Sequence, residues 1–177
     1  MAWPEGRSRD GGVDEIPLPR VPGRLFLCGK HAICPDPEAV IARVDADTVV
    51  CLNELSELRD RFPDYVEWLD VNRSTRALHH PIPDFHAPPL DDLAALVEDL
   101  HARLVAGDTL VVHCGGGIGR TGTLAVALLL RMGLTLDDAI DVVRSNRPMA
   151  GPEVGTQRDV LTEFALVCEE RSTERGG

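Results

Sequence analysis

The chain contains 177 residues, of which 44% are hydrophobic and 27% charged, and its formal net charge is −11. The negative net charge argues against nucleic acid or a membrane surface as a partner, because both are anionic and bind basic proteins. The length fits one domain with its own core. No apolar run spans a bilayer, no amino-terminal signal core is visible and the five cysteines form no CxxC pair, so we expect a cytoplasmic protein.

The first half of the chain alternates short apolar strands with helical patterns. Residues 1–23 are rich in Gly, Pro and charge, which predicts a flexible amino-terminal arm. A helix is predicted from Pro37, because proline is favoured in the first turn and Val40 and Val44 follow on one face. The other predicted elements are strands at 24–29 and 47–52, two short helical pieces within 54–71, and a strand start at Ala77 before a proline-rich loop.

The second half contains one more predicted strand and several helices. Residues 90–106 carry leucines and valines at helical spacing, and Gly107 closes that helix. The remaining predictions are a strand at 109–114, a helix apolar on nearly all sides at 119–132, and helices from Thr135 and from residue 152 or 153. Strands alternating with helices predict an α/β fold, with a central, mainly parallel sheet of four to five strands flanked by helices. We therefore expect one folded domain at 24–170 and a disordered tail at 171–177.

The stretch HCGGGIGRTG, residues 113–122, joins the last predicted strand to the buried helix. A glycine-rich turn beside a small buried cysteine is a common, purely structural feature of α/β folds. Residues 117–122 also match the GxGxxG dinucleotide pattern, but only helices follow, and the acid about 20 residues on begins a helix instead of ending a strand. A nucleotide loop of the Walker type is disfavoured, because no lysine precedes Thr121.

The same stretch leaves five residues between Cys114 and Arg120, and this spacing suits a phosphate-binding loop. Successive glycines allow backbone N–H groups to turn inward as an anion nest, and the following helix adds the positive end of its dipole. The guanidinium of Arg120 can grip two phosphate oxygens, and the same positive surroundings stabilise a thiolate. The predicted cradle has the sulfur of Cys114 at its base. Its amides are those of Gly115, Gly116, Gly117, Ile118 and Gly119.

HCGGGIGRTG resembles, at every fixed position, the HCxxGxxR[ST]G signature of the cysteine-dependent protein tyrosine phosphatases. The likeness covers about residues 25–167. HHPIPDFHAPP is similar to the acid loop of dual-specificity phosphatases, above all the kinase-associated branch, and LLLRMGLTLDDAIDVVRSNRP resembles the helices that follow it there. The resemblance implies a protein tyrosine phosphatase-like fold and a catalytic domain at 24–170. It also implies a monomer without metal or cofactor that forms a phosphocysteine and acts on a phosphoprotein or phosphopeptide.

The resemblance assigns roles to individual residues. Cys114 would be the nucleophile and Arg120 the phosphate ligand, while Asp84 in its proline-stiffened loop would protonate the leaving oxygen. The supporting roles fall on His113 for the loop, Thr121 for the departing sulfur, Gln157 for the attacking water, and Cys51 as a redox partner of the nucleophile.

Plainer explanations stay open for all the supporting residues, since buried histidines, strand cysteines, turn aspartates and helical glutamines usually have no chemical role. Thr121 also fits a simple helix cap. Asp91 and Asp92 are alternative acids, although both suit the first turn of a helix. Phe85 and His86, beside Asp84, either contact the substrate or pack against the loop.

Several functions compete for these residues. Phosphotyrosine in proteins is the leading substrate, and a shallow cleft would also admit phosphoserine and phosphothreonine. A phosphoinositide or small phosphate ester is less favoured, because positions 115–119 contain no positive charge. An inactive phosphate-binding module usually lacks the cysteine, the arginine or the acid, and all three are present. A thiol reductase or sulfurtransferase would need a cysteine loop but not Asp84.

Overall fold

The computed structural model describes residues 12–175 as a mixed sheet with helices on both faces. The strands are β1 Val13–Ile16, β2 Arg24–Gly29, β3 Thr48–Cys51, β4 Ala77–His79 and β5 Thr109–Cys114. The helices are α1 Lys30–Ile33, α2 Pro37–Val44, α3 Pro63–Asn72, α4 Leu90–Ala106, α5 Gly119–Arg131, α6 Leu136–Asn146 and α7 Gly155–Arg175, with a 3-10 turn at Leu55–Glu57.

The order of strands in the sheet is β1-β2-β5-β3-β4. Strands β2, β5, β3 and β4 run parallel, and β1 pairs antiparallel with β2 at the edge, which confirms the predicted mainly parallel sheet. In the register, Gly29 of β2 lies beside Cys114, and Cys51 of β3 lies beside His113. The carboxyl ends of three neighbouring strands therefore meet around Cys114, at the edge where α/β sheets bind ligands.

The two faces of the sheet carry separate cores. Helices α4 to α7 cover one face and α1 to α3 cover the other. Every residue of α5 from Gly119 to Leu130 is buried, as its apolar residues on nearly all sides predict. Because α5 is enclosed by the sheet and its neighbouring helices, its first turn and the loop before it are fixed relative to β5.

The helix ends predicted from capping signals are confirmed. Gly107 ends α4 with φ +102, the left-handed conformation that glycine adopts without strain. Thr135 is the N-cap of α6, and its hydroxyl accepts a hydrogen bond from the backbone N–H of Asp138 at 3.2 Å. The last helix begins at Gly155, slightly later than predicted.

The predicted flexible arm at residues 1–23 is wrong from residue 13 onward, because Val13–Ile16 forms the edge strand β1. All four of its residues pair with β2, Ile16 is buried, and the Glu15 carboxylate pairs with Arg24 at 2.8 Å. Two of the four residues are acidic, so the sequence shows no apolar strand pattern here. The strand forms because its backbone pairs with the edge of β2. The rest of the predicted arm, residues 1–11, lies outside the described residues.

The predicted disordered tail at 171–177 is also wrong as far as residue 175, because α7 continues to Arg175. Residues 176–177 lie outside the described part of the chain. The folded domain therefore extends beyond the predicted limits of 24–170 on both sides. No helix between residues 12 and 175 is both long and apolar enough to cross a membrane.

Candidate active site

The loop between β5 and α5 is shaped by glycines packed against the end of β2. Gly117 has φ +67, and a Cβ there would overlap the carbonyl oxygen of Cys28 and stand 2.7 Å from the backbone nitrogen of Gly29. Only glycine fits this combination of positive φ and close approach. The backbone N–H of Lys30 donates to the Gly115 carbonyl at 3.1 Å, which fixes the start of the loop to the strand.

Arg147, a residue that the sequence analysis did not single out, fixes the rest of the loop from below. Its side chain is fully buried and donates to the Gly117 carbonyl at 2.6 Å and to the Gly116 carbonyl at 3.0 Å. Its third contact is an ion pair with Asp14 of β1 at 2.6 Å. No local pattern could reveal this role, because the partners lie about 30 and 130 residues away in sequence.

These contacts orient the loop amides. The carbonyls of Gly115, Gly116 and Gly117 all point outward, to Lys30 and Arg147. In a trans peptide the C=O and the following N–H point in opposite directions, so the N–H groups of residues 116–118 face the other way. Within the described chain these three N–H groups donate to no other group. The loop thus has the inward amides of an anion nest.

Cys114 and His113 are the last residues of β5 and directly precede this loop. Cys114 is 2% exposed and His113 is fully buried. Burial lowers the pKa of His113 to about 3, although a hydrogen bond with the Cys114 backbone opposes the shift, so the ring is neutral at physiological pH. Its Nε2 shares a 2.5 Å hydrogen bond with the hydroxyl of Tyr65 on α3. The tyrosine was not foreseen, and the pair is suited to orienting the loop without adding charge.

Thr121 lies in the first turn of α5 with its hydroxyl buried, and this oxygen has no hydrogen-bond partner among the described residues. The start of α5 has no side-chain cap, so the plain capping explanation for this residue does not hold. A buried hydroxyl without a partner costs free energy. The structure records no hydrogen bond between this hydroxyl and Cys114, so its role toward the departing sulfur stays a prediction.

The side chain of Arg120 contacts residues from several segments of the candidate site. Its side chain is 2% exposed, and its two terminal nitrogens donate to the two carboxylate oxygens of Glu57 at 2.7 and 2.9 Å. One of them also donates to the Ile82 carbonyl at 2.8 Å, and the other lies 3.1 Å from Oδ1 of Asp84. Although burial disfavours the charge, the Glu57 hydrogen bonds raise the pKa of Arg120, so the guanidinium stays charged.

Glu57 was not predicted as a site residue. It belongs to the capping box of the 3-10 turn, and Asn53 also donates to it at 2.8 Å. Burial favours its protonated form, but hydrogen bonds from Arg120, the Glu54 backbone and Asn53 outweigh this and lower the pKa of Glu57 to about 2. The spacing of the capping box can be read from the sequence, whereas the ion-pair partner of Glu57, Arg120, lies 63 residues away and cannot.

Replacing Glu57 with glutamine is expected to destabilise the fold at pH 7 by about 1–3 kcal/mol, because a buried guanidinium loses its charged partner. The wild-type carboxylate contributes stability above its unfolded pKa of 4.5, and this contribution is lost as the pH falls toward the folded value of about 2. The difference between Glu57→Gln and wild type should therefore shrink in that window, which urea unfolding at several pH values measures. A difference that stays constant, or that Glu67→Gln on the exposed face of α3 reproduces, would contradict the pairing.

Asp84 reaches the site from the loop after β4, and its carboxyl is 59% exposed although it pairs with Arg120. Oδ1 also accepts from the backbone N–H of Phe85 at 3.1 Å, and a ring nitrogen of His86 bonds the Asp84 carbonyl at 2.7 Å. Phe85 has φ +58 and remains exposed, so it belongs to the rim and not to the core. The alternative acids, Asp91 and Asp92, lie in the first turn of α4 and make no ion pair with Arg120 in the described chain.

Gln157 connects the acid loop to the last helix and is buried, unlike a helical glutamine without a role on the surface. Its amide nitrogen donates to the His86 carbonyl at 3.2 Å, and its oxygen accepts from the backbone N–H of Glu153 at 2.8 Å. The same nitrogen stands 3.2 Å from the place where a Cβ on Gly119 would lie. The residue is therefore at the site, while its action on water stays a prediction.

Cys51 ends β3 beside His113 and is fully buried, with its sulfur 3.9 Å from the Asn53 carbonyl oxygen. It packs in the core on the Tyr65 side of the sheet, whereas Cys114 belongs to the core of the opposite face. Burial raises the pKa of the Cys51 thiol to about 12, so it is protonated at neutral pH. Both cysteines are free thiols. The proposed disulfide between them stays a prediction.

Comparisons with known proteins agree with this geometry. The family model described as "Swiss Army Knife protein, DSP-PTPase phosphatase domain" (PTP-SAK) matches residues 21–161. Dual specificity phosphatase 28 of Homo sapiens is 31% identical over 160 residues, which cover 86% of this chain and 81% of that protein.

Two further similarities are to a cyclin-dependent kinase inhibitor and to a kinase associated phosphatase. Cyclin-dependent kinase inhibitor 3 of Sus scrofa is 35% identical over 88 residues, which cover 49% of this chain but only 42% of that protein. The crystal structure of kinase associated phosphatase, with its catalytic-site cysteine replaced by serine, aligns with a TM-score of 0.74 over 89% of this chain and 95% of that one. At 23% identity this last likeness establishes a shared fold.

Proposed function

The chain belongs to the dual-specificity phosphatase group of the cysteine-dependent protein tyrosine phosphatases, and on this basis we propose that it hydrolyses phosphotyrosine in proteins, with phosphoserine and phosphothreonine as further substrates. The reaction passes through a phosphocysteine and needs no metal. The observation that carries this proposal is the convergence on Arg120: the guanidinium lies within 3.1 Å of Asp84, at the end of the loop that begins with Cys114.

In the first step, the Cys114 thiolate attacks phosphorus from the base of the cradle. The sulfur–phosphorus bond forms as the bond between phosphorus and the leaving oxygen breaks. Arg120 and the loop amides stabilise the charge on the equatorial oxygens. Asp84 gives its proton to the leaving oxygen, so that tyrosine, serine or threonine departs as a neutral hydroxyl.

In the second step, water attacks the phosphocysteine. Asp84, now a carboxylate, takes one proton from this water, and the oxygen forms its bond to phosphorus as the sulfur departs. Gln157 orients this water, and support for that role comes from its buried amide, which bonds the acid loop through the His86 carbonyl. The buried hydroxyl of Thr121 has no partner among the described residues and is available to donate to the departing thiolate. Inorganic phosphate then leaves and the enzyme is restored.

The rim supports an aromatic substrate. Phe85 is 59% exposed, although a phenylalanine gains free energy by burial, and its backbone N–H is bonded to the Asp84 carboxylate. A phosphotyrosine ring entering the cradle can pack against Phe85. The phosphoinositide alternative has weaker support, because positions 115–119 carry no cation and Arg120 already faces two carboxylates, Glu57 and Asp84.

The function is tested by hydrolysis of p-nitrophenyl phosphate in the presence of EDTA, followed by a panel of phosphotyrosine, phosphoserine and phosphothreonine peptides beside soluble phosphoinositides. We expect metal-independent turnover and a preference for phosphotyrosine peptides. Turnover of phosphoinositides alone would replace the proposed substrate, and binding of phosphate without any turnover would indicate an inactive module.

Asp84→Asn is expected to lower kcat about 10²-fold or more for phosphoserine and phosphotyrosine peptides, since their leaving oxygens need a proton. The loss should be much smaller for p-nitrophenyl phosphate, whose leaving group departs readily as an anion. Steady-state kinetics on both substrates measures this split. Asp91→Asn, in the first turn of α4, is the matched control and should behave as wild type. An equal loss on all substrates would mean that Asp84 does not act as the acid.

A further inference from the structure

Glu153, in the turn before α7, places a carboxylate against the phosphate loop. A Cβ at Gly119 would overlap Oε2 of Glu153 and stand 2.9 Å from its carboxyl carbon. The Gly119 backbone also favours the charged form of this carboxylate and lowers the pKa of Glu153. Glu153 thus lies against the backbone of Gly119, whose amide the proposed function reserves for a phosphate oxygen, and it requires glycine at position 119.

The position of Glu153 is fixed by the surrounding site. Its backbone N–H donates to the side-chain oxygen of Gln157 at 2.8 Å, and Gln157 is 1% exposed. The same carboxamide donates to the carbonyl of His86 in the acid loop. Glu153 is therefore held by a buried side chain that connects the acid loop and the phosphate loop, unlike an ordinary surface glutamate.

Other charges act on the Glu153 carboxylate. Partial burial and the nearby Asp84 raise the pKa of Glu153, while Arg120 and the Gly119 backbone oppose the shift. The charges of Asp84 and Arg120 therefore both influence the Glu153 carboxylate. Two carboxylates, those of Glu57 and Asp84, pair directly with this guanidinium, and Glu153 adds a third negative charge that Arg120 influences. The nearby amine of Lys30 is bonded to the Glu57 carbonyl at 3.1 Å.

We propose that Glu153 selects substrates by charge: its carboxylate lies against Gly119 of the phosphate loop in the resting enzyme, gives way to a single phosphate, and repels a second phosphate next to the first. The inference rests on the proposed function and narrows its substrate class to singly phosphorylated side chains. Molecules with phosphates on neighbouring carbons, such as the headgroups of polyphosphorylated inositol lipids, are disfavoured because their second phosphate meets this carboxylate.

The test measures binding without turnover. In a Cys114→Ser background, calorimetric titrations use inorganic phosphate and a soluble inositol bisphosphate with phosphates on neighbouring carbons. Glu153→Gln keeps an oxygen that can accept from Gly119 but removes the charge. We expect it to bind inorganic phosphate about tenfold more tightly, and the bisphosphate by a larger factor, since like charges at contact distance repel strongly in a partly buried site.

Glu163→Gln, on an exposed position of α7, is the matched control and should bind both ligands as the parent does. Glu153→Ala, which also removes the competing oxygen, should improve binding at least as much as Glu153→Gln. Unchanged affinity for both ligands in folded Glu153→Gln and Glu153→Ala would overturn the proposal. Absence of phosphopeptide turnover by the wild type would instead overturn the proposed function, and these titrations would still report on Glu153.

Discussion

Cys114→Ser is expected to abolish turnover of p-nitrophenyl phosphate and phosphopeptides, with a loss on the order of 10³–10⁶-fold, while phosphate binding persists. A serine hydroxyl is far less ionised and less nucleophilic than a thiol in the same cradle, so the phosphoryl group has no acceptor. The amides and Arg120 that bind the oxygens are unchanged. Steady-state kinetics measures the loss of turnover, and calorimetric titration with inorganic phosphate measures whether binding persists.

The matched control is Cys168→Ser, since Cys168 is a partly exposed cysteine on α7, far in sequence from the loop. This variant should retain wild-type turnover. Residual activity of a tenth or more in Cys114→Ser would assign the chemistry to another nucleophile, and loss of phosphate binding would mean that the serine had disrupted the loop.

Arg120→Lys should lower kcat/KM by about 10²–10³-fold, even though the charge is kept. The two terminal nitrogens of Arg120 pair with both oxygens of Glu57 and also reach Asp84 and the Ile82 carbonyl. A lysine ammonium cannot reproduce this planar fork, so it can neither grip two phosphate oxygens nor remain aligned by Glu57. The expected signature is a fall in kcat together with weaker phosphate binding.

For this variant the control is Arg171→Lys, which alters an exposed ion pair with Glu98 on α4. It should leave both constants within about twofold of wild type, since surface pairs contribute little. If Arg120→Lys kept kcat/KM and phosphate affinity as well as Arg171→Lys does, a single positive charge would be sufficient for catalysis. The proposed contact of Arg120 with two phosphate oxygens would then be refuted.

The part of the site that sequence reasoning identified is local in the chain. The strand, the turn and the helix at residues 109–131 follow from a short apolar run, glycines and an apolar helix pattern. Cys114, Arg120 and Thr121 lie within this single unit, so their spacing alone predicts a cradle. Asp84 came from the resemblance of its loop; the structure brings it within 3.1 Å of Arg120, and its role as the acid stays a prediction.

The residues that were missed act across long sequence separations. Glu57 meets Arg120, Tyr65 meets His113 and Arg147 meets the glycine loop through contacts that span 63, 48 and 30 residues. Each of them sits in an ordinary local pattern: a capping box, a short helix and a helix end. Their partners are determined by sheet order and helix packing, which no pattern within one segment contains.

The errors at the two ends of the chain have a similar origin. The four residues of β1 alternate poorly, and their strand exists because β2 offers an edge and because Asp14 pairs with buried Arg147. The last turns of α7 are rich in charged residues, and for that reason the sequence predicts a disordered tail there. They form a helix because they continue one that is packed against the core through Leu161 and Phe164.

The central claim, that Cys114 carries the phosphoryl group, is tested most directly by trapping the intermediate. Wild-type enzyme is mixed with a phosphotyrosine peptide, quenched in acid during turnover and digested with trypsin. Cleavage after Arg103 and Arg120 releases residues 104–120, in which Cys114 is the only cysteine. We predict that this peptide gains the mass of one phosphoryl group on Cys114. Turnover with the peptide unmodified, or with the phosphoryl group on another residue, would contradict the account.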